Sequence, residues 1–249
     1  MDLVRKTIFS SVRHGISRCL AVCVQNALIV AATALMLATG AAFAASAKQA
    51  EGSHAAAERI MVFGDSLSAA YGLNPAEGWV SLMETALKNR GVSVVNASIS
   101  GETTRGGLIR IQGDLQRQKP TIVLIALGAN DALRGLPVAA TKKNLDAIIT
   151  AVRAAKARPV IIGIQIPPNY GFDYTQSFSA IFPALAKQYK LPLVPFLLEG
   201  IGEKLELFQA DRLHPIAAAQ PKILDNVMPA VEQALKIKTT NVAATTKRK

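Results

Sequence analysis

Cysteine and histidine are scarce in this chain, whose 249 residues include two cysteines and three histidines. Cys19 and Cys23 lie in an N-terminal segment that we predict is removed, so the mature chain is expected to have neither a disulfide nor a thiolate nucleophile. No pair of histidines stands at metal-ligand spacing, and no phosphate loop or dinucleotide fingerprint occurs. The sequence therefore predicts no metal site and no cofactor.

Acidic residues are fewer than basic ones, and the formal net charge is +11. Without residues 1–47 the chain keeps 24 basic and 16 acidic residues, a charge of +8, of which Lys247, Arg248 and Lys249 supply three. The other charges are scattered, and no basic run interleaved with aromatic residues accompanies them. We therefore predict a solvated basic surface and no nucleic-acid partner, and leave weak attraction to anionic lipid open.

The first 47 residues have the pattern of an export signal. A basic region precedes an uncharged apolar run from about Ala27 to Phe43, and small-residue patterns end the run at Ala42-Phe43-Ala44 and Ala45-Ser46-Ala47. This order predicts a signal peptide over 1–47, cleaved near 44/45 or 47/48, and a periplasmic or secreted protein whose membrane contact is at most peripheral. The alternative is an uncleaved membrane anchor, because the apolar run approaches spanning length.

From Glu58 onward, short β-rich runs alternate with longer helical patterns. The predicted strands are Ile60–Phe63, Val92–Val95, Thr121–Leu127, Val160–Ile164 and Leu193–Pro195. The predicted helices lie near Trp79–Asn89, Leu108–Gln118, Thr141–Ala157, Tyr174–Tyr189 and Pro221–Leu235. This alternation predicts an α/β fold with a five-stranded parallel sheet covered on both faces. The domain is expected to span 58–236, followed by a mobile basic tail over 237–249.

Polar clusters follow the ends of the predicted strands, where open α/β sheets bind ligands. Gly64-Asp65-Ser66-Leu67 follows the first strand, a run from Asn96 to Thr103 follows the second, and Gly128-Ala129-Asn130-Asp131 follows the third. A fourth cluster, Asp211-Arg212-Leu213-His214-Pro215, precedes the last helix. We expect all four clusters to converge at one edge of the sheet.

The four clusters, in this order, resemble the signature blocks of the GDSL or SGNH hydrolases, across nearly all of 59–235. The stretches "NASISGETTRGGLIRI", "LGANDALRG", "IPPNYG" and "DRLHP" look like the secreted thioesterase, lysophospholipase and arylesterase branch. One departure is Ala129, where the family pattern usually has a second glycine. The resemblance implies a flavodoxin-like, three-layer α/β/α fold and an esterase or thioesterase activity.

Ser66, Asp211 and His214 are the candidate catalytic residues. A serine hydroxyl is inert until a base removes its proton, and the helix N-terminus behind Ser66 favours developing negative charge. His214 is the base we expect, because His14 and His54 lie in the signal segment and the chain start. Asp211 is three residues before His214, which lets a short turn bring it to the imidazole. The alternative is that the same pair caps the last helix, with Pro215 starting it.

The resemblance also implies three oxyanion donors: the N–H of Ser66, the N–H of Gly101 and the side-chain amide of Asn130. Gly101 lacks a Cβ, which lets its N–H approach a substrate. Taken alone, Gly101 and Asn130 are ordinary turn residues. Asp65 and Asp131 are expected to support loops, and Ser68, Ser98 and Ser100 are rival serines.

The expected substrates are small-molecule or lipid acyl esters and thioesters. The candidate acyl-groove residues, each equally compatible with core or lid packing, are Leu67, Leu133, Leu136, Pro167, Pro168, Tyr170 and Phe172. Two alternatives are a carbohydrate O-acetylesterase and a non-catalytic lipid-binding module on an α/β fold. The sequence shows no aromatic platform for a sugar that would favour the O-acetylesterase, since Trp79 is the one tryptophan and falls on a predicted helix. The second predicts loss of Ser66 or His214, and both are present.

Overall fold

The computed structural model describes residues 58–245, and their side chains as far as residue 236. The predicted signal segment and the stretch up to residue 57 lie outside the described residues, as do the last four residues of the predicted tail. No helix within the described part of the chain is both long and apolar enough to cross a membrane.

Five parallel strands form one sheet in the order β2-β1-β3-β4-β5. The strands are β1 (Arg59–Gly64), β2 (Ser93–Asn96), β3 (Ile122–Ala126), β4 (Arg158–Ile162) and β5 (Leu193–Val194). Every residue of β3 is buried, so both faces of the sheet centre are covered. In this order β2 lies on one side of β1 and β3 lies on the other. This places the topological switch point, and hence the expected ligand crevice, at the carboxyl end of β1.

Seven α-helices and five short 3₁₀ turns connect the strands within the described residues. The helices are α1 (Trp79–Leu87), α2 (Thr104–Gln118), α3 (Ala129–Leu133), α4 (Val138–Ala154), α5 (Phe172–Ser179), α6 (Ile181–Tyr189) and α7 (Gln220–Thr245). The 3₁₀ turns are Pro75–Glu77, Lys88–Arg90, Pro168–Tyr170, Leu205–Leu207 and Ala217–Ala219. Helix α2 packs on α4 and helix α1 on α7. The predicted three-layer α/β/α fold is confirmed.

Several predicted helix boundaries were wrong. Helix α2 begins at Thr104, before the predicted Leu108, because the Thr103 hydroxyl accepts the N–H of Gly106 as an N-cap. The single helix predicted over Tyr174–Tyr189 is two helices that meet at Ala180. Pro183 explains the break, since it has no N–H for the fourth residue before it and its ring crowds that carbonyl.

The last helix also differs from its prediction. Helix α7 runs to Thr245, whereas a helix ending near Leu235 and a tail from residue 237 were predicted. Pro229 lies inside this helix, and buried residues such as Val227 and Val231 seat it on the sheet. The mobility of 237–249 stays a prediction.

Candidate active site

The four polar clusters meet at a cleft of about 580 Å³ beside the carboxyl end of β1. Ser66, Gly101, Asn130 and His214 all line it. Hydrogen bonds from the N–H groups of Ala97 and Ile99 to carbonyls of β1 and its end continue the β2 pairing. This pairing carries the Ser98–Gly101 segment alongside the turn that holds Ser66.

The side chains of Ser66, His214 and Asp211 form one hydrogen-bonded line. Nε2 of His214 is 2.8 Å from Oγ of Ser66, and Nδ1 of His214 is 2.6 Å from Oδ2 of Asp211. A neutral imidazole that donates from Nδ1 presents Nε2 as the acceptor for the serine hydroxyl. The structure therefore brings together the three residues predicted as catalytic, in the order that proton transfer requires.

The turn from Asp211 to His214 orients both of its ends. Oδ1 of Asp211 accepts the N–H groups of Leu213, at 2.9 Å, and of His214, at 3.0 Å. The side-chain hydrogen bond from His214, followed by these two backbone N–H groups, lowers the pKa of Asp211 to about 2. Asp211 is thus an anion over the ordinary pH range. Arg212, between them, has a φ of 58°, a left-handed conformation that costs a non-glycine residue energy.

The alternative reading of the Asp211–His214 pair as a helix cap was wrong. Helix α7 begins at Gln220, and a separate 3₁₀ turn over Ala217–Ala219 precedes it. Asp211 accepts hydrogen bonds from its own turn and not from the first turn of that helix.

Tyr71 packs against the imidazole of His214, which the sequence did not lead us to expect. The ring centroids of Tyr71 and His214 are 4.4 Å apart with a tilt of 38°. The side-chain amide of Gln209 donates to the Tyr71 carbonyl, at 2.8 Å, and holds this segment against the turn of His214. An aromatic residue five positions after Ser66 was visible in the sequence, but nothing there linked it to His214.

The turn that carries Ser66 is fixed by buried groups on both sides. Oδ1 of Asp65 accepts the N–H of Leu67 at 3.0 Å, and the indole of Trp79 donates to the Leu67 carbonyl at 3.0 Å. Trp79 is buried, so it offers no stacking platform for a sugar. Asn96 adds a bond from its side-chain amide to the Ser68 carbonyl, at 2.7 Å. The predicted scaffolding role of Asp65 agrees with this geometry.

Asp65 itself is a buried carboxyl group. Its Oδ2 has no hydrogen-bond partner among the described residues, and its side chain is almost wholly enclosed. Burial raises the pKa of Asp65 to about 7, and the negative charges of Asp131 and Glu102 act in the same direction.

The three predicted oxyanion donors belong to residues that line the same cleft, Ser66, Gly101 and Asn130. Within the described part of the chain, the backbone N–H groups of Ser66 and Gly101 donate to no protein acceptor. Gly101 has a φ of 78°, so the conformation of the turn, more than the space around it, requires glycine. One Nδ2 hydrogen of Asn130 goes to the Glu102 carbonyl, at 3.0 Å, which leaves the other for a ligand.

Ala129, which stands where the GDSL or SGNH pattern usually has a second glycine, does not disturb the turn before Asn130. It is the first residue of α3, where the backbone is right-handed, and the unusual φ of 126° falls on Gly128. Asp131 supports the loop as expected, because Oδ2 accepts the backbone N–H of Thr104 at 2.8 Å.

The apolar part of the cleft agrees with some of the predicted groove residues. Leu67, Leu133, Pro167 and Pro168 line it. Tyr170 does not line it: it ends the Pro168–Tyr170 turn, is partly exposed to solvent, and donates its hydroxyl to the Leu133 carbonyl at 3.4 Å. Leu136 and Phe172 are solvent-exposed side chains outside the lining. Sequence reasoning missed several apolar lining residues from the loops after β4 and β5, namely Ile164, Ile166, Phe196, Leu198 and Phe208.

Of the rival serines, Ser100 lines the cleft, while Ser68 and Ser98 have hydroxyl oxygens that are buried without a hydrogen-bond partner in the described part of the chain. Ser66 is the serine bonded to His214. No group of three or more His, Cys, Asp or Glu side chains suited to a metal ion occurs among the described residues.

Comparison with known proteins agrees with this geometry. Residues 62–220 match the model of the GDSL-like Lipase/Acylhydrolase family. Esterase TesA of Pseudomonas aeruginosa is 47% identical over 183 residues, which are 73% of this chain and 91% of that protein. Thioesterase 1/protease 1/lysophospholipase L1 of Escherichia coli is 43% identical over 171 residues, or 69% of this chain and 82% of that protein.

A solved structure shows the same likeness in three dimensions. The psychrotrophic esterase EstA from Pseudoalteromonas sp., inhibited by monoethylphosphonate, aligns with a TM-score of 0.69 and 41% identity. The alignment covers 72% of this chain and 99% of that one. The resemblance drawn from the four sequence blocks is therefore confirmed, and the chain belongs to the GDSL-like lipase/acylhydrolase family.

Proposed function

We propose that this protein is a serine hydrolase that cleaves carboxylic esters and acyl thioesters through an acyl-enzyme. The observation that carries the proposal is the continuous line from Oγ of Ser66 through the imidazole of His214 to the carboxylate of Asp211. The names of the relatives, an esterase and a thioesterase with lysophospholipase activity, support the same reaction class.

In the first half-reaction, Oγ of Ser66 attacks the carbonyl carbon of the substrate while Nε2 of His214 takes the hydroxyl proton. The carbonyl oxygen becomes an oxyanion, and the N–H groups of Ser66 and Gly101 and the amide of Asn130 are the donors we assign to it. His214 then gives its proton to the departing alcohol or thiol. Asp211, an anion throughout, stabilises the imidazolium.

In the second half-reaction, water attacks the acyl-enzyme and His214 takes its proton. Collapse of the second tetrahedral intermediate releases the acid and returns the proton to Ser66. These steps use side chains and backbone groups of this chain. The apolar lining of the cleft, including Leu67, Leu133 and Ile166, supports an acyl group as the part of the substrate bound there.

We also propose that the protein acts outside the cytoplasm, in the periplasm or after secretion. The basic region, apolar run and small-residue patterns of the first 47 residues support export.

The activity is tested with p-nitrophenyl esters of graded acyl length, acyl-CoA and lysophospholipid, using wild type and Ser66→Ala. We expect hydrolysis of at least one class by the wild type and none by the variant. A folded wild-type protein that hydrolyses none of them and resists a fluorophosphonate probe would overturn the proposal.

A further inference from the structure

Glu102 lies between the two oxyanion donors that do not belong to the nucleophile. It directly follows Gly101 in the chain, and its backbone carbonyl accepts the Nδ2 hydrogen of Asn130 at 3.0 Å. The Gly101 N–H belongs to the peptide with Ser100 and the Glu102 carbonyl to the peptide with Thr103. The short backbone stretch between these two peptides therefore affects both the Gly101 N–H and the Asn130 amide. The mechanism above gives its side chain no part.

The Glu102 side chain is nevertheless tied down. Its Oε2 accepts Nε of Arg110 at 2.7 Å, and its Oε1 accepts the N–H of Thr103 at 3.2 Å. The Glu102 side chain is 12% exposed and that of Arg110 is 19% exposed, so water screens this ion pair weakly. A Cβ on Gly106 would lie 1.9 Å from Oε1, so the glycine leaves room for the carboxylate over the first turn of α2.

Arg110 connects the loop to the strand that leads to Ser66. Its guanidinium carbon lies 4.0 Å from the centroid of the Phe63 ring, and Phe63 is the residue of β1 before Gly64. Its Nη1 donates to Asp114 at 2.6 Å, which fixes the guanidinium from the next turn of α2. Arg110 thus contacts Phe63 near the end of β1 and Glu102 beside Gly101 at the same time.

We propose that Arg110 and Glu102 are positioning residues of the oxyanion hole: their ion pair holds the Gly101–Thr103 backbone, which presents the Gly101 N–H at one end and accepts and orients the Asn130 amide through the Glu102 carbonyl. The inference rests on the proposed function, because it gives these residues an effect on a reaction that the hole stabilises. Neither residue touches the reacting atoms. They act by holding the donors in place before the reaction, so that no reorganisation is needed when charge develops on the oxyanion.

Loss of the ion pair should loosen the Gly101–Thr103 backbone without unfolding it. Without the ion pair, the Glu102 peptide remains tethered by its N–H bond to the Ile99 carbonyl, at 3.1 Å, and by the neighbouring Thr104–Asp131 contact. The loop should therefore persist but fluctuate, so that donors spend less time aimed at the oxyanion. A whole donor is worth ~10²–10³ in kcat. Partial misplacement should cost less, about 10-fold.

The test measures kcat and KM for a p-nitrophenyl ester with Glu102→Ala, Glu102→Gln and Arg110→Gln. Arg117→Gln is the matched control, since Arg117 pairs with Asp114 in the same cluster but does not contact Glu102. We expect kcat to fall about 10-fold in Glu102→Ala and Arg110→Gln with KM nearly constant. Glu102→Gln keeps an oxygen acceptor and should retain most of the activity, and Arg117→Gln should match the wild type.

Measurements in the Asn130→Ala background show whether the loss of kcat in Glu102→Ala depends on the oxyanion hole. If Glu102 positions Asn130, Glu102→Ala should cost clearly less in that background than in the wild type, because one of the two donors it controls is already absent. Complete fluorophosphonate labelling counts folded active sites, so that misfolding of a variant does not enter kcat.

Three outcomes would overturn the inference: an unchanged kcat in Glu102→Ala and Arg110→Gln, a rise in KM alone, or full additivity with Asn130→Ala. A wild-type kcat in Asn130→Ala alone would instead refute the oxyanion assignment. Loss of all hydrolysis and labelling in the wild type would refute the proposed function. Failure of the inference, of the oxyanion assignment and of the proposed function can thus be distinguished.

Discussion

Nε2 of His214 lies 2.8 Å from Oγ of Ser66, although 148 positions separate the two residues. The turn after β1 and the turn before α7 have to meet for this contact to form. Gln209 links these turns through its bond to the Tyr71 carbonyl, and the Tyr71 ring rests on the imidazole. The contact is therefore a property of the packed domain, and it concentrates the expected reactivity on one of several serines.

Ser66→Ala should abolish both turnover and labelling by a fluorophosphonate probe, because it removes the atom that becomes acylated. Ser98→Ala is the control. The Ser98 hydroxyl is buried without a partner in the described part of the chain and does not line the cleft, so its loss should leave both properties intact. A folded Ser66→Ala protein that hydrolyses esters at the wild-type rate would require another nucleophile, and Ser100 would be examined first.

The sheet could be predicted because its strands are short, apolar and separated by helical patterns. All five predicted strands overlap observed ones. The start of β4 was predicted two residues late, at Val160, whereas the strand begins at Arg158 and contains Pro159. Ile161 and Ile162 are the β4 residues that pair with β5, so Pro159 lies where the absence of its N–H breaks no pairing on that side.

The line of Ser66, His214 and Asp211 could be predicted because histidine is scarce in the chain, Ser66 follows the end of a strand and Asp211 is three residues before His214. The full lining of the groove and the residues that position the site could not be predicted, since they depend on packing between distant segments. Tyr71 reaches His214, and Arg110 stacks on Phe63, through contacts that leave no local pattern in the sequence. Tyr170 shows the converse error, because this aromatic loop residue near a signature block was predicted in the groove and is not one of the lining residues.

Asp65→Asn should flatten the pH dependence of stability. The pKa of Asp65 is about 7 in the folded protein against 3.8 for an unburied group, so the folded state holds a proton that the unfolded chain has lost. The free energy of unfolding should therefore fall as pH rises between these two values and level off above. Asparagine keeps the Oδ1 acceptor for the Leu67 N–H without the charge.

The measurement is urea unfolding of wild type and Asp65→Asn at about pH 5 and about pH 8. Asp173→Asn, which changes an exposed carboxylate on α5, is the control and should follow the wild type. Asp211 does not interfere, since its lowered pKa of about 2 confines its effect to more acidic solutions. Equal pH slopes in wild type and Asp65→Asn would show that Asp65 does not take up a proton in this range.

Export should leave a mature chain that begins at Ala45 or Lys48, according to which small-residue pattern is cleaved. N-terminal sequencing of the protein recovered outside the cytoplasm distinguishes the two sites. Full-length chain that stays in the membrane fraction after a high-salt wash would instead support the uncleaved anchor, because salt removes peripheral contacts and leaves a spanning helix in place.

Substitutions of His214 and Asp211 should be strongly non-additive, because Asp211 acts through the imidazole. His214→Ala should lower kcat on the order of 10⁵–10⁶-fold, and Asp211→Ala by a smaller factor, roughly 10⁴-fold, since the base is still present but loosely oriented. Asp211→Asn separates two parts of that loss. It keeps an Oδ1 acceptor for the N–H groups of Leu213 and His214, while it removes the charge that stabilises the imidazolium.

If the three residues act as a unit, His214→Ala/Asp211→Ala should be little slower than His214→Ala alone, since no imidazole remains for the carboxylate to orient. Single-turnover rates with a p-nitrophenyl ester measure the losses in the single and double variants. Circular dichroism checks that substitution of Asp211 has not disturbed the fold. A double variant whose loss equals the product of the two single losses would mean that Asp211 contributes independently of His214, and the hydrogen bond at 2.6 Å would then be a structural contact and not part of proton transfer.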